Sequence, residues 1–103
     1  MTARELCNYL VAVADGDYQM VVYPYNRYED NFIFTKFIQN TQLYDPNSQI
    51  IYDVHGRTCR DFLYYVAKHN LEDYYVVSPA RAWRVVNYMD IFVDPVRKEV
   101  VFR

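Results

Sequence analysis

Three groups of side chains in this chain carry types that could do chemistry. The first is Asp53, His55, Cys59 and His69, the raw material of a metal site or of a thiolate nucleophile with an imidazole base. Its spacing suits neither. His55 and Cys59 are four residues apart but divided by a predicted loop and helix start, and no Cys-x-x-Cys pair or His-Glu-x-x-His helix accompanies them. Cys59 falls near a predicted helix N-terminus, a location that lowers a thiol pKa, yet a general base must lie within hydrogen-bond reach and nothing in the spacing puts His69 there. Paired catalytic carboxylates, Gly-x-Ser-x-Gly, a Walker loop and a dinucleotide fingerprint are all missing from the sequence, so the chain reads as non-enzymatic, with no cofactor and no metal.

The second group is tyrosine, which supplies 12 of 103 residues. A ring that carries a hydroxyl prefers a position with one wet end and is over-represented at protein interfaces. The run Tyr23-Pro24-Tyr25-Asn26-Arg27-Tyr28 falls in a predicted loop, where core patterning does not account for it, so Tyr23, Tyr25, Arg27 and Tyr28 are binding candidates. The third group is Arg81-Ala82-Trp83-Arg84. Trp and Arg are common interface anchors, and an aromatic flanked by cations also stacks on a nucleic-acid base. The competing role for Trp83 is core packing, with Arg81 and Arg84 covering its edge.

What positions these groups is a unit that occurs twice. Thr2-Ala-Arg-Glu-Leu-Cys-Asn-Tyr-Leu returns as Thr58-Cys-Arg-Asp-Phe-Leu-Tyr-Tyr-Val, and the register holds to Asp17-Tyr18 and Val21 against Asp73-Tyr74 and Val77. Each copy opens with a capping pattern, Thr2 with Glu5 and Thr58 with Asp61. Leu6, Tyr9, Leu10 and Val13 then share one helical face, and Phe62, Tyr65, Val66 and His69 share the matching one. Strands are predicted at 18–23 and 74–78, at 31–39, at 49–53 and at 99–102, with 83–93 readable as strand or as a short helix after Ser78-Pro79. Asp45-Pro46 and Asp94-Pro95 mark turns.

The expected fold is therefore α+β, a tandem αβββ repeat packed about a pseudo-twofold axis as a single domain over 1–103, with an antiparallel sheet and the helices on one side. Repeat one spans about 1–56 and repeat two about 57–103. The expected core includes Tyr18, Val21, Phe32, Phe34, Phe62, Val77, Val85, Val100 and Val101. Arg4 and Arg60 occupy equivalent positions in the two first helical turns, where they could frame a small anionic ligand at the seam between the repeats.

Composition narrows the classes further. Apolar residues make up 52% and the net charge is −2, so a packed core is affordable and disorder is not expected. Basic and acidic side chains number three and seven in residues 1–53 but eight and six in 54–103. That balance is too weak for an acidic DNA mimic or a duplex-DNA binder, although Arg81, Trp83, Arg84, Arg97 and Lys98 leave single-stranded nucleic acid as an alternative partner. No apolar run approaches the roughly 18 residues of a membrane span, and no signal peptide is recognised. Cys7 and Cys59 are accordingly expected as free thiols in a cytoplasmic protein.

The opening, Met1-Thr2-Ala-Arg-Glu5-Leu6 with Leu10 and then Asp17-Tyr-Gln-Met-Val21-Val22, resembles the start of many small proteins carried by bacteriophages and mobile elements. Those begin with a capped Thr-x-x-Glu-Leu helix and continue into a short β-meander. The resemblance covers residues 1–22 and, through the repeat, 58–78; this chain departs from it by having two copies and a tyrosine-rich loop. It implies a compact accessory protein in a bacterial host, and no functional residues carry over. The leading expectation is a macromolecule-binding protein that occludes a host protein or protein complex, similar in profile to phage-encoded inhibitors of CRISPR nucleases, with homo-oligomer formation also open. The alternative is a small-ligand-binding or enzymatic protein with a pocket at the repeat seam.

Overall fold

The computed structural model describes residues 1–23, 31–36, 50–78 and 84–103. The element order is α1 (Ala3–Val13), β1 (Gln19–Val22), β2 (Asn31–Thr35), β3 (Ile50–Asp53), α2 (Cys59–Lys68), β4 (Tyr75–Ser78), β5 (Arg84–Val85), a 3-10 turn (Tyr88–Asp90), β6 (Ile91–Asp94) and β7 (Glu99–Phe102). Both helix starts form as their sequences require. The Thr2 hydroxyl accepts from the Glu5 N–H at 3.2 Å while a Glu5 oxygen accepts from the Thr2 N–H at 3.0 Å, and Thr58 with Asp61 repeats the arrangement at the same distances. Removing one hydroxyl strands a backbone donor in the first turn. Thr58→Ala should therefore lower stability by about 1 kcal/mol in a urea titration, and an unchanged midpoint would show the cap to be dispensable.

The remaining donors of each first turn are satisfied by the other half of the chain. Ala3 N–H donates to the Tyr74 carbonyl and Arg4 N–H to that of Glu72, while Cys59 N–H donates to the Tyr18 carbonyl and Arg60 N–H to that of Gly16. Val76 N–H bonds to Met1 and Met20 N–H to Arg57 in the same reciprocal way. Each of these bonds has its counterpart 56 residues along the chain, the same offset as the sequence echo. Neither helix can satisfy its own N-terminus alone, so the two halves are bound together at the backbone.

Beyond these helix–strand segments the halves diverge. One sheet has the order β1-β7-β6 and the other β3-β2-β4-β5. β1 is an edge strand paired in parallel with β7, whereas its counterpart β4 lies between two antiparallel neighbours, β2 and β5. All three pairings of the four-stranded sheet are antiparallel, whereas the three-stranded sheet is mixed, its parallel β1–β7 pair departing from a purely antiparallel expectation. The second half also holds more elements than the αβββ unit, because residues 84–94 divide into β5, the 3-10 turn and β6. Asn87 and Asp90 cap that turn, the Asn87 side chain accepting from Met89 N–H and Asp90 from Asn87 N–H. This third capping box is the local reason that 83–93 is neither one strand nor one helix.

A single apolar cluster joins the inner faces of both sheets to both helices. Leu6 and Leu10 of α1, Phe62 and Val66 of α2, Phe32 and Phe34 of β2, Met20 and Val22 of β1, and Val100 and Phe102 of β7 are all buried in it. Val77 is buried too, opposite Ile33 on the other face of the four-stranded sheet. Tyr18 is half-buried against the cluster, as are Tyr65 and Tyr74. Val21, Val85 and Val101 are only partly buried, because strand alternation turns Val21 and Val101 away from the core side of Met20, Val22, Val100 and Phe102. Val13 and His69, counted on the helical faces, are exposed.

Candidate binding surfaces

The outer face of the three-stranded sheet collects apolar side chains where water reaches them. Val21 lies opposite Val101, and Val101 lies opposite Phe92, so one row crosses β1, β7 and β6. Tyr23 follows at the end of β1, held by its N–H to the Phe102 carbonyl at 2.8 Å, and the Arg103 guanidinium sits 5.0 Å from the Phe92 ring centre. Phe92 remains 49% exposed and Tyr23 59%. Met89 before β6 and Val96 after it are almost fully exposed. Among the described residues β6 pairs with β7 alone.

Of the sequence candidates, Tyr23 belongs to this face. Tyr25, Arg27, Tyr28, Arg81 and Trp83 lie outside the described residues, as does the Asp45-Pro46 turn. Arg84 opens β5, exposed and opposite Ser78, and lines a shallow depression of about 260 Å³ with Val85, Asn87, Met89 and Asp90. Arg4 is held in an ion pair with Asp73 at 3.1 Å, both side chains largely in water, a contact worth little. The Arg60 guanidinium packs against Gly16, 3.0 Å from where a Cβ there would stand. Each seam arginine thus reaches across to the turn of the opposite half, and neither lines either described hollow. Of the basic residues considered for nucleic acid, Lys98 is 3.8 Å from Asp17 and Arg97 is exposed on the β6–β7 turn.

A second hollow, of about 610 Å³, runs between β3 and the length of α2. Tyr52 lies at its floor and Tyr64, Tyr65 and His69 form its helical wall. The Tyr52 and Tyr65 rings are tilted against each other with centres 4.6 Å apart, and Tyr65 meets His69 at 4.4 Å. Tyr64 is 65% exposed, with the Lys68 ammonium 5.7 Å from its ring centre. Arg57 and Lys68 also line the hollow, as do Asp53 and Asp61. Tyr52 itself is 5% exposed, and its buried hydroxyl has no hydrogen-bond partner among the described residues. Sequence reading missed this site, since Tyr52 looks like any inward residue of a short strand; the one sequence signal was the tyrosine excess.

The thiol chemistry weighed from sequence does not assemble. Cys59 is buried at the start of α2 and His69 follows its end, about 15 Å away along the axis. Burial pushes the Cys59 thiol up to about 11, with Asp17 adding to the effect, so the expected lowering at a helix N-terminus is overturned by desolvation. Cys7 is raised to about 11 for the same reason, with Glu72 contributing. Both thiols are free of disulfide bonds. Among the described residues no group of three His, Cys, Asp or Glu side chains could hold a metal ion, and no helix is long and apolar enough to cross a membrane.

Comparison with protein-family models, with curated proteins and with solved structures gave no match in any of the three.

Proposed function

We propose that this chain is a non-enzymatic binding protein that captures a protein partner through the outer face of the β1-β7-β6 sheet. The observation that carries the reading is the row Val21, Val101 and Phe92, left in contact with water and flanked by Tyr23 and Arg103. Aromatic rings and arginine concentrate in the energetic centres of interfaces. Met89 and Val96 widen the apolar area around β6. The narrower proposal is that the partner is a host defence protein and the chain a phage-borne inhibitor that occludes it.

The test is capture from a bacterial lysate with the wild-type chain and with Phe92→Asp. A specific protein should be retained by the wild type and lost by the variant, whose melting temperature should stay within a few degrees because the position is exposed. Ile51→Asp, on the outer face of the other sheet, should keep the partner. Equal retention by Phe92→Asp would overturn the reading. So would capture that disappears on nuclease treatment and falls steeply with salt, the behaviour of a nucleic-acid binder.

A further inference from the structure

We propose that the groove between β3 and α2 is a strand-addition site, which takes an extended peptide segment with a basic residue at one end and an acidic residue at the other. Among the described residues β3 pairs with β2 alone. The groove shows what borders its second flank. It is lined by Ile51, Tyr52 and Asp53, three consecutive residues whose side chains alternate between the two faces of the sheet, as their exposed, buried, exposed order records. A space in touch with all three runs along the edge of the strand and not over one face. An edge strand beside such a space presents backbone donors and acceptors at the spacing of another strand, and extended peptides are commonly bound by filling that place.

The helical wall decides which peptide fits. Asp61, Tyr64 and Lys68 lie on successive turns of one face of α2, and all three line the groove. From Asp61 to Lys68 is about 10 Å along the axis, the length of about three residues of extended chain. Tyr64 on the helix and Ile51 on the strand are both exposed, so a small apolar side chain is received between them while Tyr52 and Tyr65 keep their core contacts. The chain reverses between β3 and α2 at residues 54–58, with Gly56 at φ +74°. Asp53 and Asp61 therefore gather at the turn end, where they outnumber Arg57, and Lys68 stands towards the far end. Backbone donors hold both carboxylates in place, His55 N–H on Asp53 and Thr58 N–H on Asp61, each at 3.0 Å. A segment added antiparallel to β3, the sense in which β2 already pairs, enters at the turn end and leaves past Lys68. Its basic residue must then precede its acidic one. This site lies on the other sheet from the face proposed for protein capture and does not depend on that reading.

The experiment is an NMR titration of the wild-type chain with three blocked peptides, followed through the backbone amides of Ile51, Tyr52 and Asp53 and the ring protons of Tyr64. The first peptide is Ac-Ser-Lys-Thr-Val-Thr-Glu-Ser-NH2. The second exchanges its Lys and Glu, and the third is the first N-methylated at its three central residues, which removes the backbone donors in either register. The Lys-first peptide should give saturating shifts and bind about fivefold tighter than the exchanged one, and the N-methylated peptide should give none. Lys68→Glu, at an exposed position, should remove the preference while melting within a few degrees of the wild type. Phe92→Asp should bind the peptide as the wild type does, which keeps this outcome apart from that of the sheet face. The proposal is overturned if the Lys-first peptide gives no saturating shift, or if the N-methylated peptide binds as tightly. It is equally overturned if the exchanged peptide binds as well or better, or if Lys68→Glu retains the full preference.

Discussion

Phe62→Ala should cost about 3–5 kcal/mol, the largest effect expected of any single truncation in this protein. Phe62 is fully buried on α2 and its ring meets Phe32 edge-on at 6.2 Å, Phe34 stacked at 5.8 Å and Tyr52 edge-on at 5.6 Å. It therefore joins the helix to both β2 and β3. Neighbours that are themselves rings relax poorly into a void, so a cavity term adds to the lost transfer energy. A domain of this size commonly holds about 5–15 kcal/mol in total, and the variant should lie near its unfolding midpoint at moderate temperature. Urea titration followed by tyrosine and tryptophan fluorescence reads the result directly. A midpoint within error of the wild type would contradict the burial on which the whole core assignment rests.

The second large effect is alkaline. Cys7 and Cys59 ionise at about 11 in the folded chain, raised from an ordinary 9.0 by burial, and Tyr52 is raised from 10.0 to about 12, again by burial, with Arg57 opposing. All three are neutral when protonated, and the native state holds their protons more tightly than the unfolded chain does. Their contribution is therefore complete below pH 9 and is lost as pH rises through 11, with Tyr52 following up to about 12. One pKa step corresponds to about 1.4 kcal/mol, so buried Cys59 accounts for roughly 2–3 kcal/mol across that window and half-buried Cys7 for less, because water screens it. Urea midpoints should hold from pH 7 to 8.5 and fall steeply by pH 10.5. The double variant Cys7→Ala, Cys59→Ala should fall less steeply, and a wild-type midpoint that stays flat to pH 11 would show that these groups are solvated after all.

Several elements were legible because their causes are local. Thr2 with Glu5 and Thr58 with Asp61 fix two helix starts within four residues each, and the Glu99–Phe102 strand follows its alternation to the residue. The Asp94-Pro95 turn also forms as read, with the Asp94 carboxylate accepting from the N–H groups of Val96 and Arg97. The pairing of strands was not legible. Val21 and Val77 are equivalent in the sequence echo, yet Val77 is buried beside β2 and β5 while Val21 stays half-exposed on a sheet edge. The difference comes from which strands arrive as neighbours from distant parts of the chain. Tyr9 and Tyr65 diverge likewise: Tyr9 meets Tyr88 edge-on at 5.1 Å, whereas Tyr65 closes the wall of the groove.

The sequence by itself determined the α+β class, the two capped helices and the spacing of 56 residues at which backbone bonds are exchanged, since caps and periodicity act over a few residues and need no partner. Only the tertiary structure decided that β1 pairs in parallel with β7, that Phe92 and Tyr23 share one wet face, and that Tyr52 is buried against Tyr65 of α2. Those outcomes depend on long-range packing. The same tyrosine becomes core, wall or surface according to which distant segment covers it, and no local pattern encodes that choice.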